Sequence, residues 1–417
     1  MVEKPAIYGG KPVRKEPLKI RRPIGNEELE EIKDVIKSGR LFRWSGTKVS
    51  SFEKEFAKFY GVKYAIACTS GTASIHIAIG SINPDPCSEV ITTPITDMGT
   101  VLPILAQNCI PVFADINEDD YTLDPSDVER RITEKTKIII PVHQFGFPCD
   151  MDPIMELAEK YDLYVIEDCC QAYLAEYKGK LVGTIGHMGC FSLQMSKHMT
   201  TGEGGIVITN DEELAKRAKL FMDKGWLREA GATARNYLMF GLNYRMTELQ
   251  GAIALAQLRK VKWVVQRRRE IGERITKELS DLDGLHLPKS TKDRKHSFWL
   301  YPIRIDVKVL GVNNVEFARA LNAEGIPAGA GYLGEVLYMA PYLRHKRVYG
   351  NSKCPFECPL YGRSRVEYKK GLCPNAEKTL KELVTIPCNE LFTEEDVDDI
   401  IRAVEKITKY FLTHKGK

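Results

Sequence analysis

A chain of 417 residues is too long for one compact core and, at about 150 residues per unit, predicts two or three domains rather than a lone binding module. Hydrophobic residues at 43% and charged residues at 28% suit a folded, water-soluble protein and exclude a disordered or collagen-like polymer. Sixty Lys plus Arg against 56 Asp plus Glu leave only +4, without the concentrated basic face that tight nucleic-acid binding requires.

The opening MVEKPAIYGGKPVRKEPLKIRR has no continuous apolar run after its basic residues, and no stretch approaches the length of a membrane span. The expected compartment is the cytoplasm. Asn26 followed by EELEEIKDVIKSG reads as a capped helix, with Leu29, Ile32, Val35 and Ile36 on one face and Gly39 to end it. The period then changes. Seven short, β-branched runs recur with helical patterns between them: KYAIACT from Lys63, EVITTP from Glu89, IPVFADI from Ile110, KIIIPVH from Lys137, LYVIEDC from Leu163, GCFSL from Gly189 and GIVITN from Gly205. Nearly all-apolar strands alternating with helices are what a sheet covered on both faces requires, so the first large domain is expected to be α/β.

A charged helix, VKWVVQRRREIGERITKELSDL, opens the second part, where the Arg267–Arg269 run is read as a solvated face. A strand from Phe298 follows, and the chain closes on a helix after Thr393, whose pairing with Asp396 resembles a capping box. The expected division is an N-terminal arm and helix over 1–44, a large α/β domain over 45–260 and a small α+β domain over 261–417.

Eleven cysteines are an odd count, and Cys68, Cys109, Cys169, Cys170 and Cys190 lie in apolar runs, as reduced, buried thiols do. Cys354, Cys358 and Cys373 flank prolines in a loop. Metal is not expected there, since zinc would need a fourth ligand; a disulfide or plain loop thiols remain open.

Three signals carry chemistry. Ser70-Gly71-Thr72 follows a strand and opens a helix, a turn that aims free backbone N–H groups and the positive helix end at one spot, although the same residues also make ordinary turns. Asp168 ends the strand LYVIED, where α/β folds place their ligand crevices; the alternative is a helix cap. Lys197 lies just beyond another strand, where partial desolvation favours a neutral, imine-forming amine, and Ser192 before it can add a hydroxyl. Neither G-x-x-x-x-G-K-[ST] nor a G-x-G-x-x-G after the first strand is present. A phosphate seat, a strand-end acid and a strand-end lysine together are the set that pyridoxal phosphate needs. Of the smaller candidates, His76 is read as packed, and His143 as open between core and crevice rim. His198 could line the pocket, and Tyr332 and Tyr338 lie in a segment that could meet substrate.

The order of SGTASIHIAI, VIEDCCQA, SKHMTTGEGG, NYRMTELQGA and CPNAE resembles the DegT/DnrJ/EryC1/StrS family of pyridoxal-phosphate sugar aminotransferases, over nearly all of the chain. SKHMTTGEGG and PITDMGT are similar to the branch acting on keto-cyclitols and related keto-sugars. The resemblance implies a fold type I transferase, aspartate aminotransferase-like, with a mostly parallel seven-stranded sheet and a homodimer whose sites are shared between subunits. It makes Lys197 the imine-forming lysine, Asp168 the partner of the pyridinium nitrogen, and Gln171 a neighbour of the ring's phenolate oxygen. Gly71, Thr72 and Ser192 would hold the phosphate, with Asn243 reaching it from the neighbouring chain. Many relatives carry an aromatic residue that stacks on the ring where this chain has Asp97, so stacking would fall to Met98 or another side chain. The implied reaction moves an amino group from glutamate or glutamine to a keto-sugar, a nucleotide-linked keto-sugar or a keto-cyclitol. A dehydratase or lyase using the same cofactor, or a regulatory relative without turnover, is the alternative.

Overall fold

All seven apolar runs form strands, and their residues are buried on both faces almost throughout. In the computed structural model, which describes residues 2–228, 234–359 and 362–414, these are β1 (Tyr64–Cys68), β2 (Glu89–Thr92), β3 (Ile110–Phe113), β4 (Thr136–Ile140), β5 (Tyr164–Asp168), β6 (Met188–Ser192) and β7 (Gly205–Thr209). They join into one sheet in the order β1-β7-β6-β5-β4-β2-β3. Only β7 runs against its neighbours; the other pairings are parallel. Two apolar clusters cover the sheet, one on each side. Phe52, Phe56 and Tyr60 of the helix Lys48–Tyr60 pack with Val165 and Phe191, while Ile75 and Ile79 pack with Ile66 and Ile166. That double burial explains why the strands read as continuous apolar runs rather than alternating ones.

The second part has its own core around a four-stranded sheet, in which β9 (Leu300–Ile305) and β11 (Leu383–Pro387) pair antiparallel between the short β8 (Leu285–His286) and β10 (Gly329–Ala330). The closing helix, Glu394–Thr413, lays Val397, Ile400, Ile401, Val404 and Ile407 on this core. Its start is capped as the sequence predicts: the Thr393 hydroxyl accepts from the Asp396 N–H at 3.1 Å, and Asp396 accepts from the Thr393 N–H at 2.9 Å. A single helix, Glu248–Leu279, passes through position 260 and contributes side chains to both cores.

The first helix, Asn26–Ser38, departs from expectation in two ways. Its cap is Gly25, whose N–H is taken by Glu28 at 2.8 Å, so Asn26 is already helical. The face it buries carries Glu28 and Val35, while Leu29 and Ile36 are exposed. Glu28 is drawn inward by hydrogen bonds from Gln257 at 2.7 Å and Lys260 at 2.8 Å, and a buried carboxylate with two such partners sets the helix's rotation. Burial alone would raise the Glu28 pKa, but these bonds and the Gly25 amide bring it below the usual carboxylate range.

Candidate active site

Three strand ends and two loops converge on a cavity of about 350 Å³ on the carboxyl side of β1, β5 and β6. Gly71, Thr72, Asp168, Gln171, Ser192 and Lys197 all line it. β1 leads into the helix Gly71–Ile82 through Ser70, whose hydroxyl accepts from the Ala73 N–H at 3.0 Å. The amides of Gly71 and Thr72, first-turn donors with no acceptor among the described residues, belong to residues that line the cavity. A β-carbon on Gly71 would sit 2.7 Å from Ser192 Cβ and 3.0 Å from Cys170 Sγ, so only glycine lets the two anion-seat elements meet. Gly99 is equally confined, with Thr72 Oγ1 at 2.6 Å and Asp97 Oδ1 at 2.9 Å from where its Cβ would be.

Asp168 is 3% exposed. Thr100 Oγ1 donates to one oxygen at 2.8 Å and the Cys170 N–H to the other at 3.0 Å. Among the described residues it makes no ion pair. A buried carboxylate supported by a hydroxyl and an amide but by no cation is costly unless a positively charged ligand atom meets it. Lys197 stands in the same wall, with its ammonium 3.9 Å from the centre of the Trp299 ring. Burial lowers its pKa and outweighs the opposing pull of Cys170, Asp168 and Asp97.

Gln171 lines the cavity with its amide already engaged. Its oxygen accepts from the Phe145 N–H at 2.8 Å and its nitrogen donates to Tyr332 Oη at 3.3 Å. Asp97 also lines the cavity and caps the helix Met98–Ala106 by accepting from the Gly99 N–H at 2.7 Å. Met98, considered as a stacking residue, is not among the lining side chains; Trp299 and Tyr332 are. Asn243 is exposed and lies outside the cavity, where it bridges to Asp223.

Among the lesser candidates, Tyr332 reaches the cavity and Tyr338 does not: it is buried against Glu377, to which its hydroxyl donates at 2.5 Å. His76 is packed, between Tyr244 Oη at 2.9 Å and Gln107 Oε1 at 3.2 Å. His143 belongs to the core rather than the crevice rim. Its Nδ1 accepts from the Cys149 N–H at 3.0 Å, so its Nε2 carries the proton towards Glu167 at 3.1 Å. Glu167 also receives the amides of Gly183, Ile185 and Gly186, so in the grouping of His143, Glu167 and Cys169 the imidazole and the carboxylate already have partners within the protein. His198 points away from the cavity, its Nε2 donating to the Ser297 carbonyl at 2.9 Å. None of the eleven cysteines forms a disulfide among the described residues; Cys373 is buried, and Cys87 packs beside Cys358 of the proline-flanked loop. Sequence reasoning missed Thr100, Trp299 and the cavity face of Glu203, which come from elements far apart in the chain.

The residues present suit pyridoxal phosphate: an orphaned buried acid, a desolvated amine, and a helix N-terminus beside a serine hydroxyl. This sheet, with such a site at the carboxyl ends of its strands, defines a transferase of the α/β class. The chain belongs to the DegT/DnrJ/EryC1/StrS aminotransferase family, whose model matches residues 22–364. It is similar to the GDP-perosamine synthase of Escherichia coli O157:H7, at 39% identity over 260 residues covering 62% of this chain and 70% of that protein. It is also similar to a putative L-glutamine:3-amino-2,3-dideoxy-scyllo-inosose aminotransferase of Micromonospora echinospora, at 32% identity covering 98% and 97% of the two chains. The solved aminotransferase of Psychrobacter cryohalolentis superposes with a TM-score of 0.84 at 28% identity, covering 94% of this chain and 100% of the other. The protein is an aminotransferase.

Proposed function

We propose that this aminotransferase binds pyridoxal phosphate in the cavity and moves an amino group from glutamate or glutamine to a keto-sugar, a nucleotide-linked keto-sugar or a keto-cyclitol. Asp168 carries the reading, because its buried charge lacks a cation that a protonated pyridine nitrogen would supply. The substrate class is argued from the two named relatives, one a GDP-perosamine synthase and one a putative aminotransferase named for L-glutamine and an aminated inosose.

When bound, the cofactor supplies an aldehyde that links to amines and a ring that accepts electrons. The rest falls to this chain. Asp168 would face the positive charge of the ring nitrogen, and Thr100 keeps its carboxylate oriented. The residues that would hold the phosphate are Gly71, Thr72 and Ser192, and Gln171, in the same lining, would lie near the ring's phenolate oxygen. Lys197, whose pKa burial lowers, would offer the amine that links to the aldehyde and the base that takes the donor's α-proton. Asn243 reaches the phosphate of a second copy of the chain. A homodimer is supported by exposed Phe42 and Trp44, which gather with Trp226 and Tyr237 around Arg228. No helix among the described residues is long and apolar enough to cross a membrane, and cysteines outside any disulfide among the described residues suit the reducing cytoplasm.

Borohydride treatment of the protein incubated with excess cofactor tests the reading. The expected result is one covalent adduct on the peptide containing Lys197, absent in Lys197→Ala, together with donor-dependent release of a keto acid. A colourless protein without an adduct would overturn it.

A further inference from the structure

Arg22 touches the main chain of Lys197 and, among the described residues, has no counter-ion. The chain on either side of it is pinned: Asn389 donates to the Arg21 carbonyl at 2.8 Å, while Gln257 at 3.2 Å and Lys260 at 3.0 Å donate to the Pro23 carbonyl. Between these anchors the half-buried Arg22 guanidinium makes one hydrogen bond among the described residues, from Nη1 to the carbonyl of Lys197 at 3.4 Å. That is long for a charged donor and easily exchanged. No carboxylate among the described residues pairs with it. Glu390, the acid nearest in its field, is held by Arg268 at 2.7 Å in a pair that is 1% and 0% exposed. Burial and the neighbouring Arg268 charge both press against the Arg22 cation, an expense that an arriving anion would offset.

The cavity itself says which anion. Its lining includes three acids, Asp97, Asp168 and Glu203, and one basic side chain, Lys197, so a carboxylate entering it meets more acidic than basic groups. An amino donor nevertheless has to bring one. Its α-carbon must lie against the Lys197 amine that removes the α-proton, and its α-carboxylate is attached to that carbon. The distal group lies several bonds further away. Arg22 is not among the lining residues, but its charge acts on the Lys197 amine, where the α-carboxylate must arrive, and letting go of the Lys197 carbonyl would free it to turn that way.

We infer that Arg22 is the donor-specificity residue, leaving the Lys197 carbonyl to hold the α-carboxylate of the amino donor in a charge-assisted pair. The inference rests on the transamination reading. The probes are glutamate and glutamine, each against its own α-carboxamide, in the half-reaction that loads the amino group, followed by the half-reaction with the ketone. Wild type is expected to prefer the carboxylates by about 10- to 100-fold in kcat/KM, the range of a hydrogen bond to a charged group. Arg22→Gln should collapse that preference to within about 2-fold, leave the ketone half-reaction and the thermal midpoint unchanged, and Arg22→Lys should recover part of it. Equal losses on acid and amide, no wild-type preference, or a loss confined to the ketone step would each overturn the assignment. If wild type accepts no amino donor at all, the transamination reading itself fails, and that result is visible before any variant is made.

Discussion

Asp168 and His296 are both buried, and each is tied to the structure by its own hydrogen bonds. Asp168 keeps its place through Thr100 and the Cys170 amide, so Asp168→Asn preserves the shape and removes only the charge that faces the cavity. The expected outcome is a folded protein whose transfer rate falls on the order of 10²–10³-fold, the scale of losing a pre-placed electrostatic stabiliser. Near-normal single-turnover rates would remove its assigned role. His296 is 1% exposed, stacked 4.0 Å from Phe298, and its Nδ1 accepts the Phe298 N–H at 2.8 Å. Burial, with Arg269 and Arg294 nearby, pushes its pKa down to about 3. The unfolded chain takes up this proton near the ordinary value of about 6.5, so between the two values the unfolded state binds more protons and stability falls as pH drops. Below about 6.5 this residue alone removes up to about 1.4 kcal/mol per pH unit, full stability being present above that value. Urea midpoints at pH 7 and pH 5 check this: His296→Asn, whose side-chain oxygen can still accept the Phe298 N–H, should lose less between the two than wild type does.

At the scale of single elements, the helix Gly71–Ile82 shows how a site constrains its scaffold. It is buried on nearly every side, and at Gly80 a β-carbon would sit 2.2 Å from the Phe221 ring. Glycine inside a helix ordinarily costs about 1 kcal/mol against alanine. Here the clash outweighs that gain, and Gly80→Ala is expected to destabilise by about 1–3 kcal/mol, the usual range for overpacking. Chemical denaturation measures it; a stabilised variant would mean the ring moves aside freely. This helix and the seven strands were legible because burial on both sides leaves an unbroken apolar signal, which no neighbouring side chain can reverse. The helix Asn26–Ser38 was misread for the opposite reason. Its periodic apolar residues suggested a buried Leu29 and Ile36, but the Glu28 contacts with Gln257 and Lys260, more than 200 positions away in the chain, turned the helix.

For the whole molecule, the site residues that could be read in advance are those attached to strand ends, where local pattern and topology agree: Gly71, Asp168, Ser192 and Lys197. Trp299 stands just before the central strand β9 of the small sheet and Tyr332 in a loop of the same part, and only the packing of the two cores brings them against Lys197 and Gln171. Asn243 poses the same problem across a larger distance. It is exposed and outside the cavity of its own chain, so any part it takes in binding the phosphate must be played in another copy. That arrangement has an arithmetic consequence. In a two-fold dimer with shared sites, pairing a Lys197→Ala chain with an Asn243→Ala chain gathers both lesions into one site and leaves the other intact. Mixing the two inactive variants one to one, with exchange confirmed by differently tagged chains, should give half heterodimers with one working site each, or about a quarter of wild-type activity. Activity that stays at the level of the separate variants after proven exchange would show that each chain completes its own site, and Asn243 would then have to be explained by its bridge to Asp223 alone.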